Sequence, residues 1–366
     1  MDHKKKIPAV LFLLCLFLFP AAAVMLPDKN VSKTERRSLE QMPKLSKTSL
    51  MDGSYGTKLE TYFLDQFPGR DIFRSLKAET EIRILGKEDS DGYYRAGDGI
   101  YKLETDTKEK NITRAAEKIG KLITDHFTEA DCYYAIIPDK SVYLTEREDY
   151  PVIDGEKVEE IFGHTVTSAE KIELKEQLEL ADYYRTDLHW KQERLDKAAS
   201  YLAKCMRIDI LSMSEECVKI ATDQFYGAYA AASAFVAAPD TICYYEDDVI
   251  RNMSVYDYEK KEKVSVYAPE RLGQTDDYDF YLWGARALLT IQNPQCHNGR
   301  RLLLFRDSFG SSIAPLLARG YEEVTLVDLR YVSADYALQL LGDTEYEDVL
   351  FLYSASILNH GDTLRF

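Results

Sequence analysis

The chain has 366 residues, 45% of them hydrophobic and 30% charged. The length fits one large domain or one domain with a smaller appendage, and the composition excludes both a disordered chain and a multi-span membrane protein. The formal net charge is −16, from 46 Lys plus Arg against 62 Asp plus Glu, and a surface of that sign repels a phosphate backbone, so no nucleic-acid partner is expected.

Residues 1–26 read as a signal peptide or signal anchor. Lys4, Lys5 and Lys6 precede an apolar run, 9–26, broken at Pro20. The run is near the minimum of about 17 residues that spans a bilayer, while Ala21 and Ala23 suit a small-x-small cleavage site. In either case the lysines stay inside and the rest of the chain lies outside the cytoplasm. Cys15 falls within the run and is read as membrane packing. The other cysteines, Cys132, Cys205, Cys217, Cys243 and Cys296, form no CxxC pair and no zinc-type spacing with histidine, which predicts mostly buried free thiols without a disulfide framework or metal site.

Residues 27–55, polar and punctuated by Pro27, Pro43 and Gly53, read as an extended linker without a core function. The main domain then occupies 56–366. Leu59, Tyr62, Phe63 and Phe67 recur at helical spacing, Pro68 and Gly69 break the pattern, and a second helix runs through Ile72, Phe73, Leu76 and Ile82. A Tyr-rich segment over 93–103, punctuated by Gly97 and Gly99, predicts a hairpin. A helix follows whose apolar stripe is Ile112, Ala115, Ala116, Ile119, Leu122 and Ile123. Beyond it, short continuous apolar runs at 133–137, 302–305, 324–327 and 349–353 look like strands covered on both faces, predicting a mainly parallel sheet between helices. The Tyr- and Ala-rich stretch 225–282 departs from this pattern and reads as a strand-containing insertion. The tyrosines are read first as strand and core formers, with stacking on sugars as the less favoured reading.

Two short segments carry chemistry. Arg306-Asp307-Ser308-Phe309-Gly310 directly follows an expected buried strand and precedes an apolar helical segment, 313–317, that contains Pro315. Ligands of open α/β sheets lie beyond the carboxyl ends of the strands, so Ser308 is placed to act as a nucleophile, with its own N–H available to an oxyanion. The competing role is a helix N-cap. Thr186-Asp187-Leu188-His189-Trp190 supplies the other half. A serine hydroxyl needs an imidazole to accept its proton, and that imidazole works best with a carboxylate fixing its tautomer. Asp187 and His189 share a side if the chain is extended there, so that Asp187 meets Nδ1 and Nε2 faces Ser308. The competing role is that Asp187 caps the next helix while His189 packs beneath it. Asp328-Leu329-Arg330-Tyr331 follows another strand, so Arg330 or Tyr331 lines the same crevice unless Arg330 pairs structurally with Asp328. His126, His164, His297 and His360 have no partner at a meaningful spacing. There is no P-loop, GxGxxG or HExxH, which leaves nucleotide and zinc-peptidase chemistry without a motif.

Taken in order, these segments resemble the DHHW family, relatives of the AlgX and AlgJ alginate O-acetyltransferases within the SGNH hydrolase superfamily. The resemblance rests on the export segment, Glu35-Arg36-Arg37-Ser38-Leu39 with Pro43, Asp65-Gln66-Phe67-Pro68-Gly69-Arg70-Asp71, Ile137-Pro138-Asp139-Lys140, Asp187-Leu188-His189-Trp190, Phe225-Tyr226-Gly227, Arg306-Asp307-Ser308-Phe309 and Val327-Asp328-Leu329-Arg330-Tyr331. It implies a three-layer αβα, flavodoxin-like domain and a triad of Asp187, His189 and Ser308. Two departures stand out. Leu188 replaces the histidine of the family name, and Tyr281-Leu282-Trp283-Gly284-Ala285 looks like the family's Gly-Asn box with Ala285 in place of Asn. Gly284 and Gly227 then remain as oxyanion donors through backbone N–H groups alone.

The resulting expectation is an extracytoplasmic O-acyl, foremost O-acetyl, transferase or esterase acting on a cell-surface polysaccharide. It needs no metal or diffusible cofactor, and the resemblance implies a membrane-embedded acyltransferase as partner. The rivals are a non-catalytic polysaccharide-binding or assembly component with a degenerate site, and a plain secreted esterase.

Overall fold

The computed structural model describes residues 3–144, 153–210 and 212–366. The N-terminal helix α1 (His3–Met25) is followed by a two-stranded ribbon, β1 (Val31–Ser32) with β2 (Arg37–Ser38), and by helices α2 (Lys47–Met51), α3 (Ser54–Asp65) and α4 (Arg70–Arg83). The side chains of Lys4, Lys5, Lys6 and Cys15 lie outside the described residues. No helix among the described residues is long and apolar enough to cross a membrane. Phe19 of α1 stacks on Phe67 at 5.1 Å and meets Phe73 edge-on. The 27–55 stretch is therefore more than a linker, because it contains the ribbon and α2. The break between α3 and α4 falls at Pro68 and Gly69, as the sequence predicts, with Gly69 in the left-handed region at φ 72°.

A hairpin of β3 (Tyr93–Ala96) and β4 (Gly99–Lys102) precedes α5 (Glu109–His126), whose six-residue apolar stripe is buried throughout. The stripe's Ile and Leu side chains contribute about 1.5–3 kcal/mol each on burial. Next come β5 (Asp131–Ile137), α6 (Gly155–Thr165), β6 (Glu170–Lys171) and α7 (Asp196–Cys205), then β7 (Val218–Phe225), α8 (Ala228–Ser233), β8 (Asp240–Tyr245), α9 (Asp248–Asn252), β9 (Ser254–Asp257), β10 (Glu262–Val264) and β11 (Leu288–Gln292). The chain ends with β12 (Arg301–Arg306), α10 (Gly310–Leu317), β13 (Glu323–Val327), α11 (Ala334–Leu341), β14 (Asp348–Ser354) and α12 (Ala355–Asn359).

Among the described residues, eight strands form the central sheet in the order β10-β9-β11-β13-β12-β14-β5-β6. From β13 to β6 the neighbours are parallel, whereas β11, β9 and β10 pair antiparallel at one edge. All four continuous apolar runs are strands of the parallel part. Their side chains alternate between two cores, with Leu302 and Leu304 facing α7 and α10, and Leu303 and Phe305 facing α5, α6 and α11. Burial on both faces is why these strands read as unbroken apolar runs. The 225–282 stretch is only partly a separate insertion: β8 pairs outside the main sheet with the preceding β7, but β9 and β10 extend the main sheet. Of the thiols described, all are free, and Cys132 alone is buried, so the expectation of mostly buried cysteines is corrected.

Candidate active site

The central strand β12 delivers the serine. Its carboxyl end runs into a tight turn at 307–309, where the Asp307 carboxylate accepts the Phe309 N–H at 3.0 Å and the Ser354 N–H of β14 at 2.8 Å. Asp307 thus ties the serine turn to the neighbouring strand. Helix α10 begins at Gly310 despite Pro315 in its second turn. Ser308 lies two residues ahead of it and does not act as an N-cap through its side chain. Its backbone N–H has no acceptor among the described residues.

Asp187 and His189 come from a loop that closes on itself. Tyr183 bridges Trp190, and the Tyr184 N–H donates to the His189 carbonyl at 3.0 Å. This is a chain of bends instead of the extended segment expected. What brings the two side chains together is Asp187 Oδ1, which accepts both the His189 N–H at 2.9 Å and Nδ1–H at 2.6 Å. On the other side of the ring, Nε2 lies 2.8 Å from Ser308 Oγ. The three groups implied by the sequence therefore form one continuous hydrogen-bonded line across the carboxyl end of the sheet. Asp187 does not cap the following helix, α7; its second oxygen instead accepts the first N–H of α8.

The imidazole is held on both faces. Tyr278 stacks on it with ring centroids 3.9 Å apart and planes within 9°, and Phe309 packs at 4.9 Å. The Tyr278 hydroxyl donates to Ser312 Oγ, which also receives Trp190 Nε1–H at 2.8 Å. Gln192 donates to the Ser312 carbonyl at 2.6 Å. The histidine loop is thus pinned to α10, the helix behind the serine. Lys140, buried, donates to the carbonyls of Tyr184, Arg185 and Asp187 at 2.9, 3.1 and 2.7 Å. Burial pulls its pKa down to about 8, against the neighbouring Asp139, Asp187 and Asp240.

Asp187 is fully buried and carries four donors on two oxygens. Oδ2 accepts Arg36 Nη1–H at 2.9 Å and the Ala228 N–H at 2.5 Å. Burial works against its charge, but the His189 ring, Arg36 and the Ala228 N–H outweigh it and hold the carboxyl well below the ordinary carboxylate range. Arg36 lies in the stretch read as a linker. The Glu35–Leu39 box contributed to the resemblance, but it gave Arg36 no role at the site, because its partner lies 151 positions away. Tyr278 was equally hidden within a Tyr-rich stretch.

The four remaining site candidates are not brought to the serine as oxyanion donors. The Gly227 N–H donates to Thr186 Oγ1 at 3.0 Å and the Gly284 N–H to the Tyr281 carbonyl at 3.2 Å, so both are already engaged. Gly227 is instead a close-approach residue: a Cβ there would lie 2.3 Å from Asp187 Cβ and 2.5 Å from the Thr186 carbonyl oxygen. Gly227→Ala should destabilise the chain by about 1–3 kcal/mol by overpacking, a loss that denaturant unfolding would detect. Gly284 sits at φ 77° after Leu282 and Trp283, which also have positive φ. Arg330 forks onto Asp328 through Nε and Nη2 at 2.9 and 2.7 Å, the structural pairing the sequence allowed, and its guanidinium covers the ring of the exposed Tyr331. No cluster of His, Cys, Asp or Glu suited to a metal ion occurs among the described residues.

Glu193, just beyond the histidine loop, has a buried Oε2 without a hydrogen-bond partner among the described residues, and burial pushes its pKa up to about 7. The folded state therefore holds this proton more tightly than the unfolded chain does, and stability falls as pH rises from about 4 to about 7. Glu193→Gln is expected to stabilise the chain by roughly 2 kcal/mol at pH 8 and to change little at pH 4. Thermal unfolding at the two pH values checks the sign.

The mixed, mostly parallel sheet between helical layers is an α/β architecture. No family model and no curated protein matches the chain. Solved structures do. It is similar to a DHHW family protein from Eubacterium siraeum DSM 15702, with 17% identity and a TM-score of 0.62 over 75% of this chain and 95% of that one. It is also similar to Bacillus cereus PatB1 solved with a sulfonyl adduct, with 17% identity and a TM-score of 0.57 over 73% and 95% of the two chains. PatB1 without the adduct gives 17% and 0.55, over 73% and 96%. The likeness to the DHHW group noted in the sequence is thereby borne out as a likeness of fold.

Proposed function

We propose that the chain is an SGNH-type O-acyl, foremost O-acetyl, transferase or esterase that acts outside the cytoplasm on a cell-surface polysaccharide. The observation that carries this reading is the line from Asp187 through His189 to Ser308, with contacts of 2.6 and 2.8 Å, at the carboxyl end of the central strand. Ser308 Oγ attacks the acyl carbonyl carbon while His189 Nε2 takes its proton, and Asp187 stabilises the imidazolium. The Ser308 N–H contributes to the oxyanion that forms. Collapse breaks the bond to the donor's leaving group, which receives the proton from Nε2 and leaves an acyl-serine. A sugar hydroxyl, or water in the esterase, then gives its proton to His189 and attacks that ester, and Ser308 is regenerated when the proton returns to Oγ. The sequence resemblance adds a membrane-embedded acyltransferase as donor and an export segment at the N-terminus.

The engaged N–H groups of Gly227 and Gly284, with Ala285 in the Gly-Asn box, favour a second reading, a polysaccharide-binding component with a degenerate site. One experiment separates them. The full chain is incubated with an acetyl-ester chromogen and, separately, with a sulfonyl fluoride, the chemistry suggested by the sulfonyl adduct of PatB1. Ester turnover and a single adduct on Ser308, located by peptide mass spectrometry, support the enzyme. Polysaccharide binding without turnover or adduct would overturn it.

A further inference from the structure

The N-terminal ribbon reaches the site by an arrangement that the proposed chemistry does not require. Glu35 and Arg37 lock the ribbon to the α3–α4 corner: Arg70 donates to Glu35 at 2.7 and 3.1 Å, and Arg37 forks onto Asp65 at 2.9 and 2.5 Å. Arg36, between them, points the other way. It sits in the left-handed region at φ 53°, a conformation that disfavours non-glycine residues and persists only when surrounding contacts hold it. Its side chain is 10% exposed and bridges two carboxylates, Asp187 and Asp276. Asp276 in turn accepts the Tyr278 N–H at 2.9 Å, at the head of the turn whose tyrosine stacks on His189. One guanidinium thus braces both the carboxylate behind the imidazole and the turn beside it.

We infer that Arg36 is a positioning residue for the Asp187–His189 pair and that its fixed charge shapes the pH dependence of Ser308 reactivity. This rests on the acyl-transfer reading above. A guanidinium bound to the same carboxylate as the imidazole opposes protonation of the ring, and it also takes up half of the carboxylate that would otherwise stabilise the imidazolium. The other groups facing the pair are few. Lys140 Nζ lies against the Asp187 main-chain carbonyl, the Ala228 N–H shares Oδ2 with Arg36, and the ring itself meets Ser308, Phe309 and the un-ionised Tyr278. Asp276 partly offsets Arg36 from behind, and Asp307 is tied into the serine turn.

The test is the pH dependence of Ser308 modification by a sulfonyl fluoride in the full chain, read by mass spectrometry in the unaltered protein and in Arg36→Met, Arg36→Lys and Asp276→Asn. In Arg36→Met the acidic limb of the rate profile should move up by about one pH unit, slowing labelling about tenfold on that limb while the plateau changes less. Arg36→Lys should restore most of the shift. Asp276→Asn, which leaves Arg36 wholly to Asp187, should move the limb the opposite way, so the inference stays testable even if Arg36→Met folds poorly. Coincident limbs in all four proteins, with equal thermal unfolding, would overturn the role of Arg36 while leaving Ser308 labelled. No labelling of the unaltered chain would instead overturn the acyl-transfer reading and this inference with it.

Discussion

Replacing Ser308 by alanine is expected to lower kcat/KM for an acetyl ester by about 10⁴- to 10⁶-fold, the range found when a serine nucleophile is removed from a triad. Its Oγ is the atom 2.8 Å from His189 Nε2. Removing the hydroxyl leaves binding and the turn's N–H in place but no route to an acyl-serine. His189→Ala should cost a similar factor, because without the base the hydroxyl remains a weak nucleophile. The double variant should be no worse than either single one, since residues acting as one unit are strongly non-additive. Initial rates and adduct mapping check this. Ser308→Ala retaining more than about a tenth of the activity would place the chemistry elsewhere, and additive losses would mean that the two residues do not act as a unit.

Asp187→Asn is the second large effect expected, about 10⁴-fold in activity together with about 3 kcal/mol of stability. An asparagine has one acceptor oxygen where the carboxylate uses two. Asp187 Oδ1 faces the His189 N–H and Nδ1, and Oδ2 faces Arg36 and the Ala228 N–H. Whichever way the amide turns, its NH₂ meets donors, so either the imidazole loses its tautomer or the buried Arg36 is left with Asp276 alone. The stability loss has a defined pH dependence. Because the Asp187 carboxyl is depressed in the folded state, its contribution is complete above about pH 4 and is lost as pH falls towards the depressed value. The gap between the two proteins should therefore narrow on acidification. Denaturant unfolding at pH 7 and pH 3, with ester turnover at pH 7, measures both effects. Equal stability at pH 7 and activity within tenfold of the unaltered chain would sink the account of this carboxylate.

Much of the fold was legible because local pattern and tertiary environment agree. The α5 stripe repeats at helical spacing, and the four parallel strands read as continuous apolar runs because helices cover both faces. Pattern failed where a partner was remote. The edge strands β9 and β10 have one weakly patterned face and were read as an insertion, and the ribbon at 31–38 is too short to show any period. At the site, Ser308 was legible from its place after a strand end and Asp187 and His189 from residue type and spacing, and the family resemblance joined the three. The roles given to Gly227, Gly284 and Arg330 were not, because whether an N–H or guanidinium is free depends on neighbours that only folding supplies.

The sequence by itself determined the alternating β and α elements, the position of Ser308 after a buried strand and the presence of an acid and a base two residues apart. Side-chain type and hydrophobic period are local properties that a single segment carries. Tertiary structure alone decided that His189 Nε2 meets Ser308 across 119 positions, that Tyr278 stacks on the ring and that Arg36 reaches Asp187 from the N-terminal ribbon. Those pairings are fixed by the packing of elements distant in the chain, where the cost of burying a charge or a polar group without a partner selects one arrangement from many.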